Sequence, residues 1–120
     1  MLLVKTKIGP SKINGIGLFA DQFIPEGAAV FKEDRFSITI TDEELETLPD
    51  VQRSFVEHYA YKQSGTYKCS LDDDRFMNHS DDPNVDDTKY PDITVASRDI
   101  YPGEEITCDY RVIKMKYQPE

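Results

Sequence analysis

Three short segments carry residue types whose spacing could support chemistry. Arg75-Phe76-Met77-Asn78-His79-Ser80-Asp81-Asp82-Pro83-Asn84 crowds amide, imidazole, hydroxyl and carboxylate groups beside a proline. Side chains of this kind are readily tied down by backbone hydrogen bonds, and an Asx or Ser/Thr turn with an exposed histidine fits the same pattern. Gly15-Ile16-Gly17-Leu18-Phe19-Ala20 sets two glycines one residue apart. They let a backbone approach a ligand closely, and they equally well make a turn. The third glycine and the following helix of a dinucleotide-binding fingerprint are missing. Gly103-Glu104-Glu105-Ile106-Thr107-Cys108-Asp109-Tyr110 reads as a turn, a short strand and a tyrosine. A tyrosine at a strand end commonly packs its ring in a core and leaves its hydroxyl at the rim.

Metal chemistry is not expected. Cys69 and Cys108 form no CxxC pair, and His58 and His79 stand at no ligand spacing from them. Reduced, buried thiols are the default reading. The acidic stretch Asp72–Asp74 fails as an EF-hand loop, because Phe76 and Met77 occupy its fifth and sixth places.

The elements that must position these segments belong to one domain, residues 1–120. Leu2, Val4, Thr6 and Ile8 alternate with Lys5 and Lys7 in a loose strand pattern. Asn14-Gly15 signals a turn before the apolar run Ile16–Ala20, and Pro25-Glu26-Gly27 another before Ala28–Phe31. Phe36, Ile38 and Ile40 alternate with Ser37 and Thr39, which predicts a half-buried strand. Thr41-x-x-Glu44 has the form of a capping box, and Leu45, Leu48, Gln52, Phe55 and Tyr59 recur at helical steps. Pro49 is expected to split this helical insert, residues 41–58, in two. Tyr59–Lys62 and Tyr67–Leu71 flank Ser64-Gly65 as a hairpin. Ile93–Ser97 and Glu105–Tyr110 are further strand candidates. The expected class is mostly β.

Composition limits the partners. Fourteen Lys and Arg against 23 Asp and Glu give a net charge of −9. Nucleic-acid binding needs a basic surface to displace counterions, so direct contact with DNA or RNA is not expected. No apolar run approaches the ~20 residues that span a bilayer, and MLLVKTKIG lacks a signal-peptide core, so neither a membrane nor a secreted protein is expected. An acidic chain favours basic partners through encounter rate, or its charge serves solubility alone.

Taken together, GxG-x-FA, RFMNHSDDPN and GEEITCDY resemble the SET-domain protein lysine methyltransferases in order and content. The resemblance runs from about Leu3 to Tyr110, and in size the chain is similar to the minimal stand-alone SET proteins of viruses and bacteria. It implies a β-clip-like fold of small curved sheets, with the C-terminal motif forming a pseudoknot against the Asn-His-Ser segment. It implies S-adenosylmethionine as cofactor, held by backbone around Asn14, Gly15, Ile16 and Gly17 and gripped by Asn78 and His79. Tyr110 would be the catalytic tyrosine. Tyr59 would be the second active-site tyrosine, with Tyr61 the competing alignment, and Arg75 and Asp109 would be structural.

The implied reaction is protein-lysine N-methylation, with a histone tail or another basic segment as substrate. Methyl transfer from a sulfonium to an amine is an in-line displacement that rests on alignment and electrostatics. Its nucleophile is a neutral amine, whereas free lysine has a pKa of about 10.4, and a partly apolar channel lowers that value. Tyrosine hydroxyls can orient the amine while staying neutral. Many relatives carry a zinc-binding cysteine cluster after the catalytic tyrosine; residues 111–120 contain no cysteine. Val112, Ile113, Met115 and Tyr117 are expected to close the channel as a lid, or a second subunit in a homodimer to supply the wall. Asp72–Asp74, Asp81, Asp82, Asp86 and Asp87 would steer a basic substrate or be solvated loop charges. The alternatives are a catalytically inactive SET-like binding module for a protein segment, and methylation of a small amine. The expected location is cytoplasmic for a bacterial chain and nuclear for a eukaryotic or viral one.

Overall fold

The computed structural model describes residues 1–63 and 65–111. Strand β1 (Thr6–Pro10) and strand β2 (Ile16–Ala20) pair antiparallel, with Thr6 opposite Ala20 and Pro10 opposite Ile16. The turn between them closes where the Ser11 N–H donates to the Gly15 carbonyl at 2.8 Å. Gly15 adopts φ +48° there, a left-handed conformation that glycine enters without the penalty a β-carbon brings. β2 turns Leu18 and Ala20 into the core. After the turn at Pro25–Ala28 comes β3 (Ala29–Lys32).

β4 (Ser37–Thr41) runs directly into helix α1 (Asp42–Thr47). The capping box is formed: Thr41 Oγ1 accepts from the Glu44 N–H and Glu44 Oε1 accepts from the Thr41 N–H, each at 3.0 Å. Pro49 caps α2 (Asp50–Tyr59), so the proline does split the insert, and α2 runs one residue past the expected end. The buried faces differ from the sequence pattern. Leu45 and Val56 are buried, whereas Phe55 is half exposed and packs on Tyr59, with ring centroids 4.7 Å apart. Tyr59 in turn meets Phe76 edge-on at 5.6 Å. This aromatic row forms at the margin of a cavity rather than in the core.

β5 (Tyr61–Gln63) and β6 (Thr66–Ser70) form the expected hairpin, and β6 lies between β4 and β5 in an antiparallel sheet. β4 is thus an edge strand. Its alternation does not translate into burial: Phe36 and Ile38 remain exposed, because no described element covers that face. A 3-10 turn (Asp73–Phe76) leads to β7 (Asn78–His79), β8 (Val85–Asp86) and β9 (Ile93–Ala96). β9 sits between β3 and β8 in a second antiparallel sheet. Leu18, Ile24, Val30, Ile100 and Ile106 are fully buried and centre the core.

The C-terminal segment joins the sheets. Gly103 N–H donates to Ala20 O, Ala20 N–H to Glu104 O and Ile106 N–H to Leu18 O, at 2.8–2.9 Å, so this stretch borders β2. It continues as β10 (Thr107–Cys108), which pairs in parallel with β7. Asn84, only 2% exposed, fastens the passage. Its Nδ2 donates to Glu105 O at 2.8 Å and its Oδ1 accepts from Thr107 N–H at 2.9 Å. Among the described residues the result is mostly strand with two α-helices, α1 and α2, as the sequence predicts.

Removing the Asn84 amide strands two buried backbone groups. Asn84→Ala is expected to cost about 2–4 kcal/mol in a urea denaturation experiment. Asn84→Asp keeps the acceptor for Thr107 but sets a buried carboxylate oxygen against the Glu105 carbonyl, and is expected to destabilise at least as much.

Candidate functional site

Two cavities meet at a shared wall formed by Glu57, His58, Tyr59, Arg75 and Tyr110. The smaller, about 280 Å³, is bounded by Asn14, Gly15, Ile16, Phe76 and Asn78. The larger, about 440 Å³, is lined by Phe31, Tyr61, Tyr67, Asp74, Met77 and Asp87, among others. Tyr59 and Tyr110 therefore face both spaces, while Tyr61 faces the larger one alone.

Tyr110 is held by the strand pair below it. Immediately after β10, its hydroxyl donates to the Met77 carbonyl at 2.6 Å and its backbone N–H donates to His79 Nδ1 at 3.1 Å. A ring nitrogen that accepts carries no proton, so the neutral imidazole bears its hydrogen on Nε2, which lies 2.9 Å from Asp81 Oδ1. Burial pushes the Tyr110 phenol up to about 12, helped by the negative charges of Cys108, Asp74 and Glu105. The hydroxyl is thus a neutral donor across the physiological range. Asp109 is held below its usual range chiefly by its hydrogen bond to the Arg111 side chain, at 3.0 Å.

The turn that borders the smaller cavity is braced from beneath. Asn78 Nδ2 lies 2.9 Å from Glu105 Oε2, 3.1 Å from Asn14 O, 3.2 Å from Ser11 Oγ and 3.3 Å from Ile16 O. Its two hydrogens are shared among these four acceptors, so the Asn78 amide nitrogen is committed to shaping the turn. Ser11 Oγ donates to the Glu105 carboxylate at 2.8 Å and accepts from Ile13 N–H at 2.9 Å. Gly17 faces this carboxylate: a β-carbon there would lie 2.4 Å from Glu105 Oε2. Gly15 differs, since a β-carbon built on it meets nothing within 4 Å and the space before it is open.

The structure thus gathers Asn14, Gly15, Ile16, Asn78, Tyr59 and Tyr110 around one junction. Gly17 and His79 line neither cavity; the first packs on Glu105 and the second supports Tyr110. Ser11 and Glu105 escaped sequence reasoning. An acid within the apolar run before Tyr110 was the one available signal for Glu105, and Ser11 gave none. The lid residues Val112, Ile113, Met115 and Tyr117 lie outside the described residues. Among the described residues no cluster of ligands suits a metal ion.

The acidic run divides by role. Asp81 and Asp82 are exposed and contact Arg111 at 3.3 Å and Arg98 at 3.4 Å, respectively. Asp72 caps the 3-10 turn and accepts from Leu2 N–H at 2.7 Å. Asp74 and Asp87 line the larger cavity. Burial pushes the Asp74 carboxyl up to about 7, and the charges of Asp72 and Asp87 act in the same direction.

The sequence profile of the SET domain matches residues 15–111, and the chain belongs to the SET-domain family. No curated protein matches it in sequence. Solved structures share the fold. A candidate histone methyltransferase of Plasmodium falciparum superposes with a TM-score of 0.64 at 24% identity, over 91% of this chain and 95% of that one. A humanized mutant of the Chaetomium thermophilum Polycomb Repressive Complex 2 also gives 0.64, at 23% identity, over 89% of this chain and 15% of its own. The chain therefore spans nearly the whole of the first and a small part of the second.

Two measurements test this geometry. Gly17→Ala forces Glu105 aside and is expected to lower stability by about 1–3 kcal/mol, whereas Gly9→Ala, whose new methyl meets only Phe19 at 3.9 Å, is expected to be tolerated. The second concerns pH. Folded Asp74 keeps its proton from the ordinary value of 3.8 up to about 7, while the unfolded chain has lost it. Stability from this group is therefore present at low pH and declines as pH rises through that window. Asp74→Asn is expected to flatten that part of the curve of melting temperature against pH.

Proposed function

We propose that the chain is an S-adenosylmethionine-dependent protein-lysine N-methyltransferase. The observation that carries this reading is the junction at Tyr59 and Tyr110, where a small polar cavity and a larger aromatic one share a wall. A methyl donor on one side and an amine on the other would meet there. Membership of the SET-domain family supports the reaction class.

The smaller cavity suits the cofactor in its chemistry. Open space before Gly15 lets a ligand reach the backbone, and Asn14, Ile16 and Asn78 complete that side. When bound, S-adenosylmethionine supplies a methyl group on a positively charged sulfur. The chain's own residues do the rest. Tyr110, kept neutral and held by Met77 O and His79, offers a fixed phenol at the junction. Tyr59 narrows the passage beside it. The aromatic walls of the larger cavity cover a lysine's apolar stem, and at the junction the positive charge of the bound cofactor would lower the amine pKa toward the reactive neutral state. A basic protein segment, such as a histone tail, is the substrate class that fits the net charge of −9.

The test is a calorimetric titration with S-adenosylhomocysteine, followed by methylation assays on histones. The wild-type chain is expected to bind and to methylate. Tyr110→Phe is expected to keep cofactor binding and lose about 100-fold or more in turnover. Full activity in that variant would overturn the role given to Tyr110, and absent binding would favour the inactive binding module.

A further inference from the structure

The larger cavity holds a carboxyl group that the reaction outlined above leaves unused. Asp74 stands in the 3-10 turn, which fixes its backbone: its N–H donates to Asp72 Oδ1 at 3.2 Å and its carbonyl accepts from Met77 N–H at 3.0 Å. Ser70 Oγ donates to Asp74 Oδ2 at 3.3 Å, and no described residue donates to Oδ1. A carboxylate withdrawn from bulk water normally collects several donors, because it has four lone-pair sites to satisfy. Among the described residues the Asp74 side chain has this one long hydrogen bond, and it lines the cavity.

Among the described residues no cation bonds to Asp74. Arg75 donates to the carbonyls of Leu71 and Asp72, at 3.3 and 3.0 Å, and its guanidinium lies over the Phe76 ring. Lys62 Nζ lies over the Tyr67 ring at 5.7 Å. From α2 come Glu57 and His58, and from the segment after β8 comes Asp87, which accepts from the Thr94 hydroxyl. The phenols of Tyr59, Tyr61, Tyr67 and Tyr110 and the Cys108 thiol also line the wall, and Tyr110 and Cys108 feel the Asp74 charge. Neither Lys62 nor Arg75 bonds to Asp74. The rings of Phe31, Tyr61 and Tyr67 supply apolar wall beside it.

Aromatic wall for a stem and an under-satisfied carboxyl for a head match an alkyl ammonium group. We propose that Asp74 seats the ammonium head of the substrate side chain in the larger cavity, and so selects a primary alkyl amine. The proposal rests on the methyltransferase reading and deepens it, by naming the residue that recognises the amine before it reaches the tyrosine junction. An ammonium N–H donated to Oδ1 satisfies the carboxylate, and each methyl added to nitrogen removes one such donor. The seat thus favours the amine with the most hydrogens. Burial holds the free carboxyl about half protonated at neutrality, and an arriving cation favours its ionised form.

The experiment is a pH titration of the aspartate side-chain carboxyl resonances of the full chain by carbon-13 NMR. Three lysine side-chain probes are used: n-butylammonium, n-butyltrimethylammonium and neutral n-butanol. Asp74→Asn identifies the resonance by its loss, and the wild-type titration stands without that variant if the signal is assigned through the backbone. The apparent pKa of Asp74 is expected to fall by about one unit with n-butylammonium, equivalent to a ~10-fold preference for the ionised carboxyl. Little change is expected with the other two probes. An Asp74 titration that n-butylammonium does not move would overturn the proposal, as would an equal response to n-butyltrimethylammonium, which marks an aromatic cation site without a role for the carboxyl. Binding of S-adenosylhomocysteine is measured on the same sample. Its failure alongside a normal Asp74 response removes the methyltransferase reading and leaves the ammonium seat; the converse removes the seat alone.

Discussion

The passage of the C-terminal segment between β2 and β7 is the constraint on which the site depends. Residues 103–106 complete the hydrogen bonding of β2, and Thr107 and Cys108 complete that of β7. Asn84 pins the crossing from one side through two backbone hydrogen bonds. Glu105 reaches out on the other, where its carboxylate meets Ser11 and Asn78. A partly buried carboxylate with these partners is costly to disturb, since losing one leaves a polar group short of a hydrogen bond in a poorly solvated space.

Both halves of the junction follow from that crossing. On one side, Glu105 and Asn78 brace the turn after β1 and set the backbone of Asn14–Ile16 at the rim of the smaller cavity. On the other, β10 ends beside His79 and Met77, and those two residues fix Tyr110 through its backbone and its hydroxyl. α2 completes the wall by delivering Tyr59 from its last turn, against Phe76 of the 3-10 turn. A displacement of the crossing would therefore move the rim of the smaller cavity and the tyrosine together.

Charge is distributed less uniformly than the acidic composition suggests. Near the Asn-His-Ser segment, Asp81, Asp82 and Asp109 sit in contact with His79, Arg98 or Arg111 at the surface. Asp74 and Asp87 instead line the larger cavity. Exposed pairs of the first kind contribute little energy because water and salt screen them. Within a cavity walled by aromatic rings the same charge acts more strongly than it does at the surface.

Local signals in the chain were sufficient for local structure. The capping box at Thr41, the glycine turn at Asn14-Gly15 and the hairpin around Gly65 depend on contacts a few residues apart, so residue type and spacing specify them. The motifs around Asn78 and Tyr110 likewise made the family legible. Burial was less legible: Phe36 and Ile38 alternate like a half-buried strand yet stay exposed, because no described element packs over that edge. Only the tertiary structure decided that Ser11 and Glu105 would brace the turn after β1, that Gly17 would pack on a carboxylate, and that Asp74 would face a cavity while Asp81 faced water. Those outcomes join segments up to 94 residues apart, as between Ser11 and Glu105. No periodicity within a strand or helix records them, because the burial and partners that give each group its character come from distant parts of the chain.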